Sequence, residues 1–236
     1  MSLNNQLILG DCLEKMKDIP DNSIDMILTD LPYGVTARNK WDQIIPIQKL
    51  WREWQRLTKE KFNIILTSIQ PFTSMLVNSN LIDYNHCWIW EKSLATGHLN
   101  AHHQPMRIHE DILVFGSNIY NPQNLQVFNK ITKRGNNGTN YNISGKENFQ
   151  EYTNYPKTIL KIQNQKNKQH PTQKPVELFE YLIKTYSNEG DLVLDCCAGS
   201  GTTAIACINT KRNYICIEKD ENYFNIMKER IEMCEK

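Results

Sequence analysis

Residues 29–34, TDLPYG, follow an apolar run and carry groups that could act on a planar amine. The nitrogen of an aromatic exocyclic amine is a poor nucleophile, because its lone pair is delocalised into the ring. Acceptors that take both of its hydrogens let this nitrogen pyramidalise, and the Asp30 carboxylate and the Leu31 carbonyl are placed to be those acceptors. Pro32 fixes the backbone, and Tyr33 offers a face on which an extruded base can stack, worth about 1–3 kcal/mol.

A second motif lies far downstream, at residues 195–201, DCCAGSG. An acid before a glycine-rich turn between a strand and a helix can hold a nucleoside cofactor, and Glu218 at the end of the next strand could hold its ribose. The glycines alone also fit a dinucleotide-binding turn. Asp195 discriminates, because its carboxylate would repel a pyrophosphate but would pair with the ammonium of a methionine moiety. The two motifs together predict methyl transfer from S-adenosylmethionine to an amine, with a nicotinamide oxidoreductase as a distant alternative.

Composition admits this prediction without demanding it. The chain has 236 residues, 40% of them hydrophobic, which suffices for one main domain with a sizeable core. Its formal net charge is only +1, so any surface for a polyanion must come from local segregation of charge. The seven cysteines contain no CxxC, and no secretory signal or long apolar run is visible. These features predict reduced thiols in a cytoplasmic protein that does not enter a membrane.

Apolar runs alternate with helical patterns along the chain. Strands are predicted at 7–9, 23–29, 63–67, 86–91, 111–115, 192–195 and 214–218, and helices at 12–17, 47–58, 176–186, 202–209 and 222–234. Strands that alternate with helices imply parallel βαβ units. The predicted fold class is therefore α/β, a doubly wound and mostly parallel sheet covered on both faces. Trp51 and Trp54 are predicted to form one core-facing helix stripe.

The segment 117–169 differs from the rest of the chain. It is crowded with Asn and Gln and shows no sustained helical period, which fits either an inserted recognition module or a partly disordered loop. Between 130 and 174, nine Lys or Arg stand against two Glu, a local net charge of +7. We predict one domain, 1–236, in which 117–169 is a target-recognition insert. The candidate DNA-binding residues are Lys130, Lys133, Arg134 and Lys146.

Three motifs in order resemble those of a known family. Residues 29–33 (TDLPY), 170–175 (HPTQKP) and 195–203 (DCCAGSGTT) closely resemble the β class of amino-directed DNA methyltransferases. The resemblance spans about residues 7–232 and leaves only the 117–169 segment unmatched. It implies a circularly permuted, S-adenosylmethionine-dependent methyltransferase fold, with the catalytic motif before the recognition region and the cofactor motif last. In this chain Leu31 stands where the family usually has proline, and since that position contributes a carbonyl, leucine should serve.

The resemblance also assigns roles to single residues. It assigns Asp30, Leu31, Pro32 and Tyr33 to the target base, and Lys174 to the cofactor side as a cation. It assigns to the cofactor a set of residues that lie at strand ends and in the glycine-rich turn: Asp195, Ala198, Gly199, Gly201 and Thr202 for the methionine part, Glu218 for the ribose, and Asp11 with Cys12 for the adenine. DNA is the implied partner of this bacterial or phage-encoded chain, with a second copy of the chain and a cognate restriction endonuclease as further candidates.

The leading function is transfer of a methyl group to the N6 amine of adenine in a short DNA site. N4 of cytosine is the alternative within the same chemistry, although those enzymes more often have Ser at the position of Asp30. A catalytically silent nucleic-acid-binding module is the alternative from another class. A cytosine-C5 enzyme is disfavoured, because none of the nine prolines precedes a cysteine. The histidines at 98, 102, 103 and 109 lack a ligand spacing, so no metal site is predicted.

Overall fold

The computed structural model describes residues 3–34, 42–116, 119–133, 147–165 and 173–234. The strands are β1 Gln6–Leu9, β2 Ile24–Thr29, β3 Thr58–Ser68, β4 Tyr84–Thr96, β5 Arg107–Phe115, β6 Gln126–Lys133, β7 Glu147–Thr153, β8 Ile159–Lys161, β9 Leu192–Asp195 and β10 Asn213–Glu218. The α-helices are α1 Cys12–Lys15, α2 Ile47–Leu57, α3 Phe72–Ser79, α4 Val176–Tyr186, α5 Thr202–Asn209 and α6 Glu221–Cys234. Short 3-10 turns occupy Met16–Asp18 and His98–Asn100. Within these residues, no helix has the length and apolarity that a membrane crossing requires.

Eight of the described strands form one sheet, in the order β1-β10-β9-β2-β3-β5-β4-β8. The strands from β1 to β3 in this order all run parallel. The β3–β5 and β5–β4 pairs are antiparallel, and the short β8 pairs in parallel with β4. The sheet is therefore mostly parallel, which confirms the predicted fold class. Because the carboxyl ends of parallel strands meet at one edge, β1, β2, β9 and β10 deliver their terminal residues to the same place.

The core lies on both faces of this sheet, because side chains alternate along each strand. On β2, Met26 and Leu28 belong to a buried cluster formed with α4, α5 and α6. Ile27, between them, belongs to a second buried cluster formed with α1, α2 and α3. Trp51 and Trp54 of α2 lie in that second cluster and are 4% and 0% exposed, which confirms the predicted core-facing stripe. Helices therefore cover both faces of the sheet.

The chain divides into two compact units, Met1–Asn121 with Thr158–Lys236, and Pro122–Lys157. The larger unit contains the eight-stranded sheet. The smaller unit contains the antiparallel pair β6–β7, in which Ile131 is opposite Phe149. The predicted insert, 117–169, is wider than this smaller unit, and β8 within it pairs with β4 in the main sheet. Target recognition by the insert stays a prediction.

The predicted elements agree best with the structure near the carboxyl end, where α4, β9 and α5 have the predicted bounds. Helix α3 was not predicted. It has only eight residues, FTSMLVNS. Its β-branched and polar residues have low helix propensity, so the sequence gives only a weak helical signal here. Strand β3 begins at Thr58, immediately after α2, and not at residue 63 as predicted. Residues 59–61 of this strand are charged and exposed, so an apolar pattern does not detect its first part.

Candidate active site

A cavity of about 810 Å³ opens at the edge where the parallel strands end. Residues of both chemical motifs line it, among them Asp30, Tyr33, Asp195 and Gly199. Pockets that take small ligands and cofactors typically measure about 300–1,000 Å³. The fold therefore brings the two motifs, 165 residues apart from Asp30 to Asp195 in the sequence, into one cavity of suitable size.

Asp30 follows the last residue of β2, and three donors surround its carboxylate. Its Oδ1 lies 2.5 Å from the Tyr33 hydroxyl and also accepts a hydrogen bond from the Thr67 hydroxyl. Its Oδ2 accepts a hydrogen bond of 2.6 Å from the Lys174 ammonium. An ionised carboxylate offers about four acceptor positions. Asp30, which is 22% exposed, therefore retains capacity for one further donor from the cavity.

Lys174 connects Asp30 to a second carboxylate. Its ammonium lies 3.3 Å from Glu110 Oε2, and the opposite oxygen of Glu110 lies 3.0 Å from the ammonium of Lys92. Burial alone would lower the pKa of Lys174, but Asp30 and Glu110 outweigh it and raise this pKa. Burial would raise the pKa of Glu110, but Lys174 and Lys92 outweigh it and lower this pKa. Two cations and two carboxylates thus alternate beside the cavity, and each charge is compensated.

The other residues of the first motif frame this carboxylate. The Tyr33 ring is 5.6 Å from the Phe72 ring, at a tilt of 37°. The Lys174 ammonium lies 5.5 Å from the Tyr33 ring centroid. The Leu31 side chain is buried in the core, and both Leu31 and Pro32 line the cavity. Stacking of a base on Tyr33 and use of the Leu31 carbonyl stay predictions.

Asp195 ends β9 and is 2% exposed. Its Oδ1 accepts hydrogen bonds from the Thr29 hydroxyl at 2.8 Å and from the Cys197 backbone N–H at 3.1 Å. Its Oδ2 accepts one from the Thr203 hydroxyl. Burial raises the pKa of Asp195 to about 6, and the hydroxyl donors only partly oppose this effect. The described partners of this acid are all neutral, in contrast to those of Asp30.

The Glu218 carboxylate holds the glycine-rich turn in place through hydrogen bonds from backbone N–H groups. The Gly199 N–H donates to Glu218 Oε2 at 2.7 Å, and Glu218 Oε1 accepts from the Asp220 N–H at 2.8 Å. Gly201 has a φ of 81°, and a Cβ there would lie 2.5 Å from Cγ of Met227. Only glycine fits at this position. The acid predicted to hold a ribose therefore also fixes the turn that faces the cavity.

The remaining predicted cofactor residues complete this end of the cavity. Ala198 lines it, and the Thr202 hydroxyl lies 3.4 Å from the backbone oxygen of Lys174. Asp11 caps α1 through a 3.0 Å bond from the Leu13 N–H, and its other oxygen lies 3.1 Å from the Lys219 ammonium. All the predicted cofactor residues except Gly201 line this one cavity, and the Lys174 ammonium lies at its Asp30 end. Their contacts with a cofactor stay predictions.

Three cysteines also meet at this cavity. Cys12, Cys196 and Cys197 have Sγ atoms that all lie within 4.8 Å of one another. Hydrogen bonds from the thiols of Cys196 and Cys197 hold the pKa of Cys12 well below its ordinary value. Cys12 was a predicted adenine contact, whereas no role was predicted for the other two.

The predicted DNA-binding residues belong to the smaller unit or lie outside the described residues. Lys130 is exposed on β6, with its ammonium 5.1 Å from the centroid of the Phe128 ring. Lys133 ends β6, and its side chain is outside the described part of the structure. Arg134 and Lys146 also lie outside the described residues. A DNA contact by any of them stays a prediction.

Sequence reasoning missed three residues of the Asp30 surroundings. Thr67 is the next-to-last residue of β3, and the β2–β3 register, in which Thr29 is opposite Leu66, brings it beside Asp30. The available signal was its position at the end of β3, which runs parallel to β2. Lys92 and Glu110 lie on the antiparallel pair β4–β5, and their only signal was a charge within an apolar strand pattern.

Comparison with known proteins shows which family the chain resembles. The sequence model of a family described as DNA methylase, of the N6 and N4 type, matches residues 24–229. A Type II methyltransferase of Haemophilus parainfluenzae, M.HpaI, is 30% identical over 246 residues, which cover 98% of this chain and 75% of that protein. The DNA adenine methyltransferase YhdJ of Escherichia coli K12 is 27% identical, with 96% of this chain and 82% of that protein covered.

Solved structures agree in fold. The complex of M1.HpyAVI with S-adenosylmethionine (SAM) superposes with a TM-score of 0.65 at 23% identity, covering 95% of this chain and 98% of that one. The cytosine-N4-specific PvuII DNA methyltransferase superposes with a TM-score of 0.68 at 15% identity, covering 98% and 87%. At these identities the likeness concerns the fold alone.

Proposed function

The chain belongs to the N6- and N4-type DNA methylase family, and we propose that it methylates the N6 amine of adenine in a short DNA site. S-adenosylmethionine is the methyl donor of this family. The observation that carries the proposal is the position of Asp30. Its carboxylate faces the cavity with acceptor capacity left over, in the same cavity as the glycine-rich turn.

The residues at the other end of the cavity fit S-adenosylmethionine. The cofactor carries an ammonium, a sulfonium and a nucleoside, and no phosphate. Asp195 and Glu218 offer carboxylates, which favour such a cation and disfavour a pyrophosphate. When bound, S-adenosylmethionine supplies an electrophilic methyl group. We assign Asp195 to its ammonium, Glu218 to its ribose hydroxyls, and Asp11 with Cys12 to its adenine. We assign the turn residues to the methionine part: Ala198, Gly199, Gly201 and Thr202.

The chain's own residues act on the target nitrogen. Asp30 accepts one hydrogen of the amine and the Leu31 carbonyl accepts the other, so that the nitrogen lone pair turns out of the ring plane. The Lys174 ammonium lies 2.6 Å from Asp30 Oδ2 and holds that carboxylate in position beside the cavity. Tyr33 positions the extruded base. Alignment of two bound substrates in one cavity supplies much of the rate, and no covalent enzyme intermediate is required.

Adenine is preferred over cytosine for two reasons. In the resembling family, an aspartate at the position of Asp30 is typical of adenine enzymes, and one relative is a DNA adenine methyltransferase. A purine also offers the Tyr33 ring more stacking area than a pyrimidine. N4 of cytosine is the second candidate, since the same acceptors could hold either amine.

The test is the identity of the modified base. DNA treated with the purified protein and S-adenosylmethionine is digested to nucleosides, which are measured by mass spectrometry. We expect N6-methyladenine. N4-methylcytosine in its place would refute adenine and keep the methyltransferase mechanism. Unmodified DNA, from protein that binds both S-adenosylmethionine and DNA, would instead favour a catalytically silent binding module.

We further propose that the basic segment, including Lys130, Lys133, Arg134 and Lys146, contacts the DNA backbone, and that 117–169 contributes target recognition. Replacement of Lys133 and Arg134 by Gln should weaken binding to any duplex and flatten its salt dependence, because each lost phosphate contact removes a slope of roughly 0.9. The measurement is fluorescence anisotropy over a salt series. An unchanged slope would place the DNA-binding surface elsewhere.

The names of the relatives support a proposal about the biological setting. Type II methyltransferases act in restriction–modification systems, and we propose that a cognate endonuclease accompanies this chain. We also propose a cytoplasmic location, where its DNA substrate lies, and a homodimer as a candidate assembly.

A further inference from the structure

Three thiols from distant parts of the sequence converge in the fold. Cys12 opens α1 just after β1, while Cys196 and Cys197 follow the end of β9. Strands β1 and β9 both pair in parallel with β10, so their carboxyl ends are two strands apart at one edge. The three Sγ atoms lie within 4.8 Å of one another. We call this cluster the thiol triad. Sequence spacing does not reveal it, because Cys12 and Cys196 are 184 residues apart in the sequence.

The geometry suits a soft cation. Zinc–sulfur bonds measure about 2.3 Å, so thiolates that share a tetrahedral ion lie about 3.8 Å apart. The present separations exceed this value by no more than about 1 Å, which side-chain rotation can supply. Thiolates select soft or borderline ions such as Zn²⁺, Cd²⁺ and Cu⁺ over Mg²⁺ or Ca²⁺. Three protein ligands also leave one position of a tetrahedral ion for a further ligand.

The thiol triad is accessible although it is largely buried. Cys12 and Cys196 are 6% and 2% exposed, yet all three residues line the 810 Å³ cavity, which provides an entry path. Cys207 and Cys216 are buried too, but they do not line the cavity, and their neighbours in the apolar core include Ala204 and Ala206. Burial alone therefore does not distinguish the thiol triad from Cys207 and Cys216. The triad differs because its three Sγ atoms lie close together and its residues line the cavity.

We propose that Cys12, Cys196 and Cys197 form a site for one thiophilic cation of the Zn²⁺ class, and that its occupancy excludes S-adenosylmethionine. The thiol protons pass to the buffer as the metal–sulfur bonds form, so no oxidant or reductant is needed. The exclusion rests on the proposed function, because the ion would occupy the wall to which the cofactor adenine is assigned through Asp11 and Cys12. Metal availability would then set the fraction of enzyme that can bind its methyl donor.

The site is tested first without cofactor. Reduced protein is titrated with Cd²⁺ as the probe, and the thiolate-to-cadmium charge-transfer absorption is followed in the ultraviolet. We expect saturation at one equivalent, and at least about tenfold weaker binding in Cys197→Ser and in Cys12→Ser. Cys234→Ser, which removes an exposed thiol outside the cavity, is the matched control and should titrate like wild type. Thermal unfolding of the metal-free variants establishes that each is folded.

The exclusion is tested separately, by calorimetric titration of S-adenosylmethionine with and without one equivalent of Zn²⁺. We expect Zn²⁺ to weaken cofactor binding in wild type and in Cys234→Ser, but not in Cys197→Ser. Absence of the cadmium band, or its persistence in both triad variants, would overturn the site. A normal band with unchanged cofactor affinity would overturn the exclusion. Failure of the metal-free protein to bind S-adenosylmethionine would count against the proposed function and would leave the cadmium result standing.

Discussion

The ends of β2 and β9 each present an aspartate to the same cavity, and the two acids have different surroundings. Asp30 is paired with Lys174, which is shared with Glu110 and through it linked to Lys92. Asp195 has neutral described partners, two hydroxyls and a backbone N–H. Charge compensation at Asp30 keeps a strong acceptor facing the cavity. At Asp195, burial without a cation leaves a carboxylate whose charge is uncompensated, a suitable partner for a cationic ligand.

The largest expected effect comes from removing the cation of the Asp30 region. Lys174→Met leaves Asp30 and Glu110 close together without the ammonium between them, and breaking a buried pair in this way costs about 3–5 kcal/mol. Urea denaturation measures this loss in the free energy of unfolding. Lys161→Met is the control, because its pair with Glu91 is exposed and contributes at most about 1 kcal/mol. Equal losses in the two variants would contradict the buried charge network.

A smaller effect is expected at Asp195, where single neutral donors can be removed. Thr203→Val preserves shape but removes a hydroxyl that donates to Asp195, and an unsatisfied buried acceptor costs about 1–3 kcal/mol. Thr185→Val is matched to it, since that buried hydroxyl donates only to the Tyr181 carbonyl within α4. Thermal unfolding should show the larger loss for Thr203→Val. The reverse order would mean that Asp195 does not depend on its hydroxyl donors.

The smallest effect is a difference in pH dependence. Because Lys174 and Lys92 outweigh burial and hold the pKa of Glu110 below its ordinary value of 4.5, the unfolded chain takes up this proton at higher pH than the native protein does. The contribution of Glu110 to stability is therefore present above pH 4.5 and is lost as pH falls through the native pKa. The free energy of unfolding should fall less steeply in this acid range for Glu110→Gln than for wild type. Parallel curves would remove Glu110 from the network.

The two regions also differ in how far the sequence predicts them. The glycine-rich turn, β9 and α5 are consecutive in the chain, so local pattern was enough to predict all three with correct bounds. The Asp30 region is assembled from separate elements. Asp30 and Lys174 are 144 residues apart, and Thr67 is 37 residues from Asp30. A local sequence pattern does not predict that residues so far apart in the chain will contact each other.

The same reason explains the thiol triad and the missed helix. Adjacent cysteines at 196 and 197 gave no metal-ligand spacing, and Cys12 joins them only through the strand order. Helix α3 is fixed by burial of Phe72 and Leu76 against the sheet rather than by propensity. Sequence reasoning therefore predicted the fold class and both motifs, whereas the pairings across strands required the structure.

The division of labour between the two aspartates is tested most directly by the affinity for S-adenosylmethionine of the matched variants Asp30→Asn and Asp195→Asn. Isothermal titration should show nearly unchanged affinity in Asp30→Asn, although its methylation rate falls by about 10²–10³-fold, as for loss of one hydrogen-bonding group aimed at the reacting centre. Asp195→Asn should bind the cofactor much more weakly while remaining folded. Equal loss of cofactor affinity in the two variants, or a loss confined to Asp30→Asn, would contradict the assignment of Asp30 to the target amine and of Asp195 to the methyl donor.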